Sequence, residues 1–325
     1  MSEKVLLEVK DLDKVFPIHS PVLKRVIGGV RAACKVSFTL KAGETMGIVG
    51  ESGCGKTTLG RVITQIYEPT GGQIFFNGED ITQFKGAKLK EHRKNIQMIF
   101  QDPYSSLNPK MRVNEIIAEP LWVNGLMSKK DAANHVSALL SMVGLRDSDG
   151  EKFPHQFSGG QRQRVGIARA IAMKPQLVVA DEAVSALDVS IQAQILNLMM
   201  ELKKEMGLSY IFISHNLAVI KYVSDNIGVM YLGSIVEMAP KKRLFENTLH
   251  PYTKALLSAA PVADRNYKMN RIIMRGDVPN PANPPPGCVF HERCSECMDI
   301  CKTKIPVLTE IEEGHTVTCH LYSKS

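Results

Sequence analysis

The chain has 325 residues, of which 44% are hydrophobic and 22% charged, and its formal net charge is +7. This length suits one large domain or one domain with an appendage, and the basic residues are too dispersed to indicate a nucleic-acid partner. No stretch approaches the roughly 18–20 uninterrupted apolar residues of a membrane helix, and the N-terminal residues lack a signal-peptide pattern, so we predict a soluble, cytosolic chain.

Strand patterns and helix patterns alternate along most of the chain. The predicted strands lie within residues 5–12, 36–50, 71–81, 95–103, 177–181, 209–215 and 226–239. The predicted helices lie within residues 56–66, 113–143, 157–173 and 189–207. This alternation favours an α/β fold with a parallel sheet.

The composition changes near residue 265. Residues 278–288 contain five prolines, which predict a semi-rigid connector rather than a helix or a central strand. Five of the seven cysteines follow within the last part of the chain. In a cytosolic protein such a group indicates metal binding before it indicates disulfides.

A glycine-rich segment lies between a predicted strand and a predicted helix. Residues 50–57 read GESGCGKT and match the phosphate-loop pattern G-x-x-x-x-G-K-[ST] at every defined position. Backbone N–H groups of such a loop converge on phosphate oxygens, while the lysine contacts the β- and γ-phosphates and the threonine hydroxyl binds Mg²⁺. The predicted ATP-binding residues here are Gly50, Glu51, Ser52, Gly53, Cys54, Gly55, Lys56, Thr57 and Thr58.

Two consecutive carboxylates end the apolar strand at residues 177–181. Asp181 and Glu182 would be unfavourable at the end of a buried strand unless a positive group met them. We expect Mg²⁺ to bind Asp181 and Glu182 to polarise the attacking water or accept its proton. With the phosphate loop, this pair predicts a nucleoside triphosphatase.

A second glycine-containing helix start narrows the class. Residues 158–161 read SGGQ at the start of a predicted helix, where N–H groups can bind an anion. This stretch resembles the signature of ABC ATPases, in which each of two head-to-tail chains lends it to the partner's nucleotide. The resemblance extends to the order of the other motifs. It assigns ATP-site roles to Phe16, Gln101, Ser158, Gly159, Gly160, Gln161, Asp188 and His215.

The family resemblance implies the roles of these residues. Phe16 would stack on adenine, although a long insert separates it from the next predicted strand. The implied catalytic residues are Lys56, Gln101, Glu182 and His215. The implied Mg²⁺ ligands are Thr57, Gln101 and Asp181. Ala183 departs from the family pattern, in which proline is more common.

Within the ABC class, residues 181–198, 250–264, 275–294 and 298–301 resemble the second, F-type, ATPase subunit of oligopeptide and dipeptide importers. The resemblance implies a RecA-like core, an antiparallel β subdomain, an inserted helical subdomain at about residues 104–163 and a small Cys-rich C-terminal extension. The nucleotide-binding domain would span residues 1–264 and the extension residues 265–325.

The implied partners are a paralogous ATPase subunit, two transmembrane permease subunits and an extracytoplasmic substrate-binding protein. The implied location is the cytoplasmic face of the inner membrane.

The cysteine spacing leaves an iron–sulfur cluster, a zinc site and free thiols open. Four thiolates can hold a [4Fe–4S] cluster or a structural Zn²⁺. Importers of this class carry a four-cysteine pattern associated with a cluster, and it maps onto Cys288, Cys294, Cys301 and Cys319. Cys297 is additional, and a Cys294–Cys297 pair would also suit zinc.

Three other functions compete with peptide import. Nickel or metal-chelate importers use similar ATPases, so these cargoes are the alternative to the expected peptide cargo. A soluble ABC ATPase acting on ribosomes or DNA usually has two cassettes or a long coiled coil, and this chain has one cassette. A regulatory subunit without turnover is disfavoured because Lys56, Asp181, Glu182 and His215 are intact.

Overall fold

The computed structural model describes residues 4–20, 25–259, 272–274 and 276–323. The predicted domain boundary at residues 264 and 265 lies outside them. The described strands are β1 (Val5–His19), β2 (Val26–Lys41), β3 (Thr45–Val49), β4 (Gly71–Phe76), β5 (Glu79–Asp80), β6 (Ile96–Ile99), β7 (Leu177–Asp181), β8 (Ser209–Ser214), β9 (Asn226–Tyr231), β10 (Ser234–Pro240), β11 (Leu308–Glu312) and β12 (His315–Thr318).

The described α-helices follow the same order along the chain. They are α1 (Lys56–Ile63), α2 (Gly86–Arg93), α3 (Pro103–Ser106), α4 (Val113–Val123), α5 (Lys129–Met142), α6 (Gly159–Ile171), α7 (Val189–Met206), α8 (Leu217–Val223), α9 (Lys241–Glu246) and α10 (Pro251–Ser258). Among the described residues, none of these helices combines the length and hydrophobicity needed to cross a membrane.

The chain divides into two compact units. The first consists mainly of Gln83–Ile213 and contains β6, β7 and most of β8. In this unit β7 pairs in parallel with β6 on one side and with β8 on the other. All five residues of β7 are buried, as expected for a parallel strand covered on both faces. Between β6 and β7, the structure consists of helices, turns and loops and contains no strand.

The second unit consists of Val5–Leu40, Thr45–Thr82 and Ser214–Ser325. Its larger sheet segment has the order β11-β12-β10-β9-β3, with β3 and β9 parallel and the other neighbours antiparallel. Its smaller sheet has the order β2-β1-β4-β5. An Asn-Gly hairpin joins β4 and β5, and Asn77 and Gly78 both have positive φ, at 52° and 84°.

The predicted insert after Phe16 differs from the sequence-based expectation. Residues 17–19 continue β1, and β2 begins at Val26, well before the strand that the sequence pattern suggests at residue 36. The described part of this insert therefore extends two strands of the smaller sheet rather than forming a separate loop. The segment 26–33 has little apolar alternation, because much of it is exposed, and this explains why the pattern missed it.

The C-terminal extension contributes strands to the larger sheet segment. β12 pairs with β10, and Glu237 of β10 is fully buried beside it. The Glu237 carboxylate accepts hydrogen bonds from the backbone N–H groups of Leu249 and His250 at 2.8 and 2.9 Å, and lies 2.9 Å from His315 Nε2 of β12. A buried carboxylate needs such partners, so these contacts connect the extension to β10 and to the start of α10.

Candidate functional site

The phosphate loop joins β3 to α1, as predicted. Gly53 and Gly55 have φ values of +82° and +106°, which side chains other than glycine rarely adopt. A Cβ atom on Gly50 would lie 2.1 Å from the carbonyl oxygen of Met230, and one on Gly55 would lie 2.0 Å from that of Ala32. The loop therefore needs glycine at these positions for both conformation and space.

Lys56 is the first residue of α1 and is only 4% exposed. Its ammonium group donates to the carbonyl oxygens of Gly50 at 2.8 Å and Glu51 at 2.9 Å. The Lys56 ammonium group therefore lies against the start of the phosphate loop. Thr57 and Thr58 follow in the first turn of α1 and are partly exposed.

Glu51 has partners that the motif does not predict. Its backbone N–H donates to the hydroxyl oxygen of Tyr252 at 2.9 Å. Its carboxylate forms a bidentate ion pair with the Arg293 guanidinium, at 2.6 and 3.0 Å. Arg293 lies 242 residues further along the chain, so no local pattern could have identified this contact.

Asp181 and Glu182 lie at the carboxyl end of β7, as predicted. Asp181 is 1% exposed and is in register with Ile213 of β8. The amide nitrogen of Gln101 donates to the Glu182 carboxylate at 2.9 Å. The structure therefore brings together two of the residues predicted to be catalytic.

The backbone at Glu182 is strained. Its φ is +45°, a value that is uncommon for residues other than glycine, asparagine and aspartate. Neighbouring contacts hold this conformation: the Glu182 N–H donates to Ile213 O at 2.9 Å, and its carbonyl oxygen accepts from the Ser185 hydroxyl at 3.0 Å. Strained residues that persist in this way cluster at active sites, and the catalytic role of Glu182 stays a prediction.

The SGGQ segment begins α6 with a reciprocal capping box. The Ser158 hydroxyl accepts from the Gln161 N–H at 3.3 Å, and the Gln161 side-chain oxygen accepts from the Ser158 N–H at 3.0 Å. A Cβ atom on Gly160 would lie 2.5 Å from Ile191, so glycine permits close packing on α7. Gly159 is the first residue of α6.

Asp188 caps α7. Its carboxylate accepts from the Ile191 N–H at 3.0 Å and from the Ser190 hydroxyl at 2.7 Å. These hydrogen bonds lower the pKa of Asp188, with the backbone donor contributing most. Asp188 therefore has a structural partner in this conformation, and its predicted contact with ATP stays a prediction.

Phe16 and His215 lie in the second unit. The Phe16 ring is half-buried and packs edge-on against Tyr67, with ring centroids 5.4 Å apart, while the Lys14 ammonium lies 4.9 Å from the Phe16 centroid. His215 follows β8 directly and is exposed. The predicted roles of both residues stay predictions.

The C-terminal cysteines are mostly buried. Cys288, Cys301 and Cys319 are 7–8% exposed, Cys294 is half-buried and Cys297 is exposed. The backbone N–H of Cys288 donates to the carbonyl oxygen of Cys301 at 2.8 Å.

Burial, with a smaller contribution from the charge of neighbouring cysteines, raises the pKa of the Cys288 and Cys294 thiols to about 11. Within the described ranges, no group of three or more His, Cys, Asp or Glu side chains is arranged to hold a metal ion.

Two solved structures share this fold. The dimeric ATP-binding cassette MJ0796, bound to ADP and Pi, is 27% identical with a TM-score of 0.64, over 73% of this chain and 99% of that one. The cbiO1 structure from Clostridium perfringens, part of the ABC transporter complex cbiONQ, is 26% identical with a TM-score of 0.64, over 75% and 92%. The fold and the site motifs together define an ABC ATPase cassette.

Sequence comparisons narrow the class. Residues 34–185 match the model of the ABC transporter family, and residues 236–301 match that of the oligopeptide/dipeptide transporter C-terminal region. The oligopeptide transport ATP-binding protein AppF of Bacillus subtilis (strain 168) is 52% identical over 325 residues, which cover 99% of both chains. The chain belongs to the family of oligopeptide transport ATP-binding proteins, within the ABC ATPases.

Proposed function

We propose that this chain is the ATP-hydrolysing motor subunit of a peptide importer. The observation that carries the proposal is its full-length similarity to AppF, which is named an oligopeptide transport ATP-binding protein. The match of residues 236–301 to the oligopeptide/dipeptide transporter C-terminal region supports the same cargo class. Dipeptides or oligopeptides are therefore the proposed cargo, with nickel or a metal chelate as the alternative.

This proposal predicts peptide-dependent ATP hydrolysis. The chain would be reconstituted in proteoliposomes with its paralogous ATPase subunit and two permeases. ATP hydrolysis and uptake of labelled peptide should both rise when a peptide-loaded binding protein is added. Stimulation by a nickel chelate but not by peptide would contradict peptide as the cargo and indicate the metal chelate instead. Co-purification with ribosomes, and with no permease, would favour the soluble ATPase instead.

In the proposed mechanism, one lysine binds the phosphates and three side chains bind Mg²⁺. Lys56 would bind the β- and γ-phosphates, because its ammonium already lies across the phosphate loop. Thr57, Gln101 and Asp181 would hold Mg²⁺, and their oxygen atoms are the donors that this ion prefers. Bound Mg²⁺ would neutralise charge on the transferred phosphoryl group.

Glu182 is the proposed general base. The hydrogen bond from Gln101 orients its carboxylate, and the positive φ sets the direction of its side chain. A carboxylate oriented in this way can accept a proton from the attacking water. His215 is proposed to contact the transferred phosphate, and Phe16 to stack on adenine.

The proposed catalytic assembly contains two cassettes arranged head to tail. At the start of α6, Ser158 and Gln161 satisfy each other, while the N–H groups of Gly159 and Gly160 belong to the helix end that attracts anions. We propose that these groups bind the nucleotide of a paralogous partner subunit. The similar cassette MJ0796 is dimeric in its structure with ADP and Pi, which supports an assembly of two cassettes.

The membrane-facing surface is proposed to lie in the helical segment of the first unit. Several large apolar side chains are exposed there, including Tyr104 at 57%, Val123 at 44% and Leu126 at 43%. Exposed apolar side chains in one segment are typical of a protein contact. We propose that residues 101–111 and this segment contact the permeases, which would place the chain peripherally at the cytoplasmic face of the inner membrane.

The C-terminal cysteines are proposed to hold a structural [4Fe–4S] cluster. Cys288, Cys301 and Cys319 are buried and Cys294 is half-buried, whereas Cys297 is exposed, although it too interacts electrostatically with Cys288 and Cys294. Each thiolate of a cluster binds a different iron atom, so its ligands need not converge on one point as Zn²⁺ ligands do. Burial of the four residues, rather than of Cys297, supports this ligand set.

Metal analysis tests the cluster directly. After strict anaerobic purification we expect about four iron and four sulfide per chain, together with visible absorption. Cys301→Ser should lose the iron and the absorption, whereas Cys297→Ser should keep both. One zinc without iron would make the extension a zinc site, and loss of metal in Cys297→Ser would add that residue to the ligands.

A further inference from the structure

Arg293 of the C-terminal extension contacts the phosphate loop through Glu51. Both guanidinium Nη atoms reach the Glu51 carboxylate, and the side chains of Arg293 and Glu51 are 7% and 23% exposed. Bidentate arginine–carboxylate pairs are directional and stronger than single contacts, and this one is largely shielded from water. It is therefore a specific link rather than a surface ion pair.

Every polar group of Glu51 is engaged in this region. Its N–H donates to Tyr252, its carbonyl oxygen accepts from Lys56, and its carboxylate binds Arg293. The backbone carbonyl that receives the Lys56 ammonium thus belongs to the residue that Arg293 holds. Displacement of Glu51 would consequently alter the position of the charge that binds phosphate.

The extension holds Arg293 on a packed aromatic group. Phe290 is 2% exposed and packs against Tyr231 and Tyr252, with ring centroids 5.1 and 5.3 Å apart. Arg293 is the last residue of a short 3₁₀ helix, His291–Arg293, that follows Phe290. The packed Phe290 ring therefore fixes the backbone that carries the Arg293 side chain.

A carboxylate in a phosphate-binding loop presents an electrostatic problem. Like charges repel, and a negative side chain in the loop would weaken the binding of a triphosphate unless a cation neutralised it. Arg293 supplies that cation. An unpaired Glu51 carboxylate would also be available to compete with phosphate for the Lys56 ammonium.

We propose that Arg293 is a positioning residue for ATP binding, acting through Glu51. It neutralises the Glu51 carboxylate and holds the loop in the conformation that presents Lys56 to the phosphates. The C-terminal extension is thus part of the apparatus that binds nucleotide. This role does not depend on the cargo or on the partner subunit.

The test is nucleotide affinity in the full-length chain, measured with the β,γ-imido analogue of ATP. Arg293→Gln should weaken binding by about tenfold, because an unpaired carboxylate remains in the loop. Arg293→Lys should lose less affinity, since it keeps the charge but not the bidentate geometry. The double variant Glu51→Gln/Arg293→Gln should recover part of the affinity lost in Arg293→Gln.

Arg243→Gln is the matched control. Arg243 also pairs with a carboxylate of the extension, Glu312, at 3.2 Å, but both side chains are exposed by 41% or more. Its affinity for the analogue should equal that of the wild type. Unchanged affinity in Arg293→Gln, or a double variant that binds no better than Arg293→Gln, would overturn the proposal. The second result would indicate that Arg293 only stabilises the fold.

Discussion

Glu182→Gln should bind ATP and lose turnover. The substitution keeps the size of the side chain and an oxygen that can accept the hydrogen bond from Gln101, but it removes the basic carboxylate. General base catalysis typically contributes about 10²- to 10⁴-fold, so kcat should fall by at least about 100-fold with little change in nucleotide affinity. ATP hydrolysis by the assembled transporter and equilibrium nucleotide binding by the chain would measure the two effects.

Glu201→Gln provides the control for this experiment. Glu201 is an exposed carboxylate on α7 in the same unit, and its substitution should leave turnover unchanged. If the proposed head-to-tail assembly is correct, Glu182→Gln should also accumulate as an ATP-bound dimer of cassettes, which size-exclusion chromatography can detect. Sustained wild-type hydrolysis in Glu182→Gln would remove Glu182 from its proposed role.

Lys56→Met should abolish high-affinity ATP binding. Lys56 is 4% exposed, so methionine retains most of the buried stem while it removes the ammonium that Gly50 and Glu51 hold. Loss of the cation that faces the β- and γ-phosphates should weaken the triphosphate complex by about 100-fold or more, which corresponds to about 3 kcal/mol. Titration with the imido analogue of ATP measures this loss.

Lys254→Met is the control for Lys56→Met, because it also removes one positive charge but not at the phosphate loop. Lys254 lies in the same unit, pairs with Glu296 at 3.8 Å and is 36% exposed, so this variant should bind nucleotide normally. Thermal unfolding of Lys56→Met should show a folded chain. Tight binding of the triphosphate by a folded Lys56→Met variant would contradict the role assigned to this residue.

Short-range sequence patterns were sufficient to predict much of the fold and to identify the family. The phosphate loop was predictable because its conformation depends on glycines at set positions, and Gly53 and Gly55 do have positive φ. The buried strand β7 and the β4–β5 hairpin were predictable for a similar reason, since their patterns reflect local periodicity and turn chemistry. The strand conformation of residues 26–33 was missed because exposed residues carry no such pattern.

The sequence by itself determined the class of ATPase and most of the residues proposed to act on ATP, because those motifs are contiguous. Only the tertiary structure decided the contacts between distant residues: Gln101 with Glu182, 81 positions apart, and Arg293 with Glu51, 242 positions apart. It also decided that β12 of the extension pairs with β10. Such contacts depend on how buried faces pack after the chain has folded, and local residue preferences do not encode that packing.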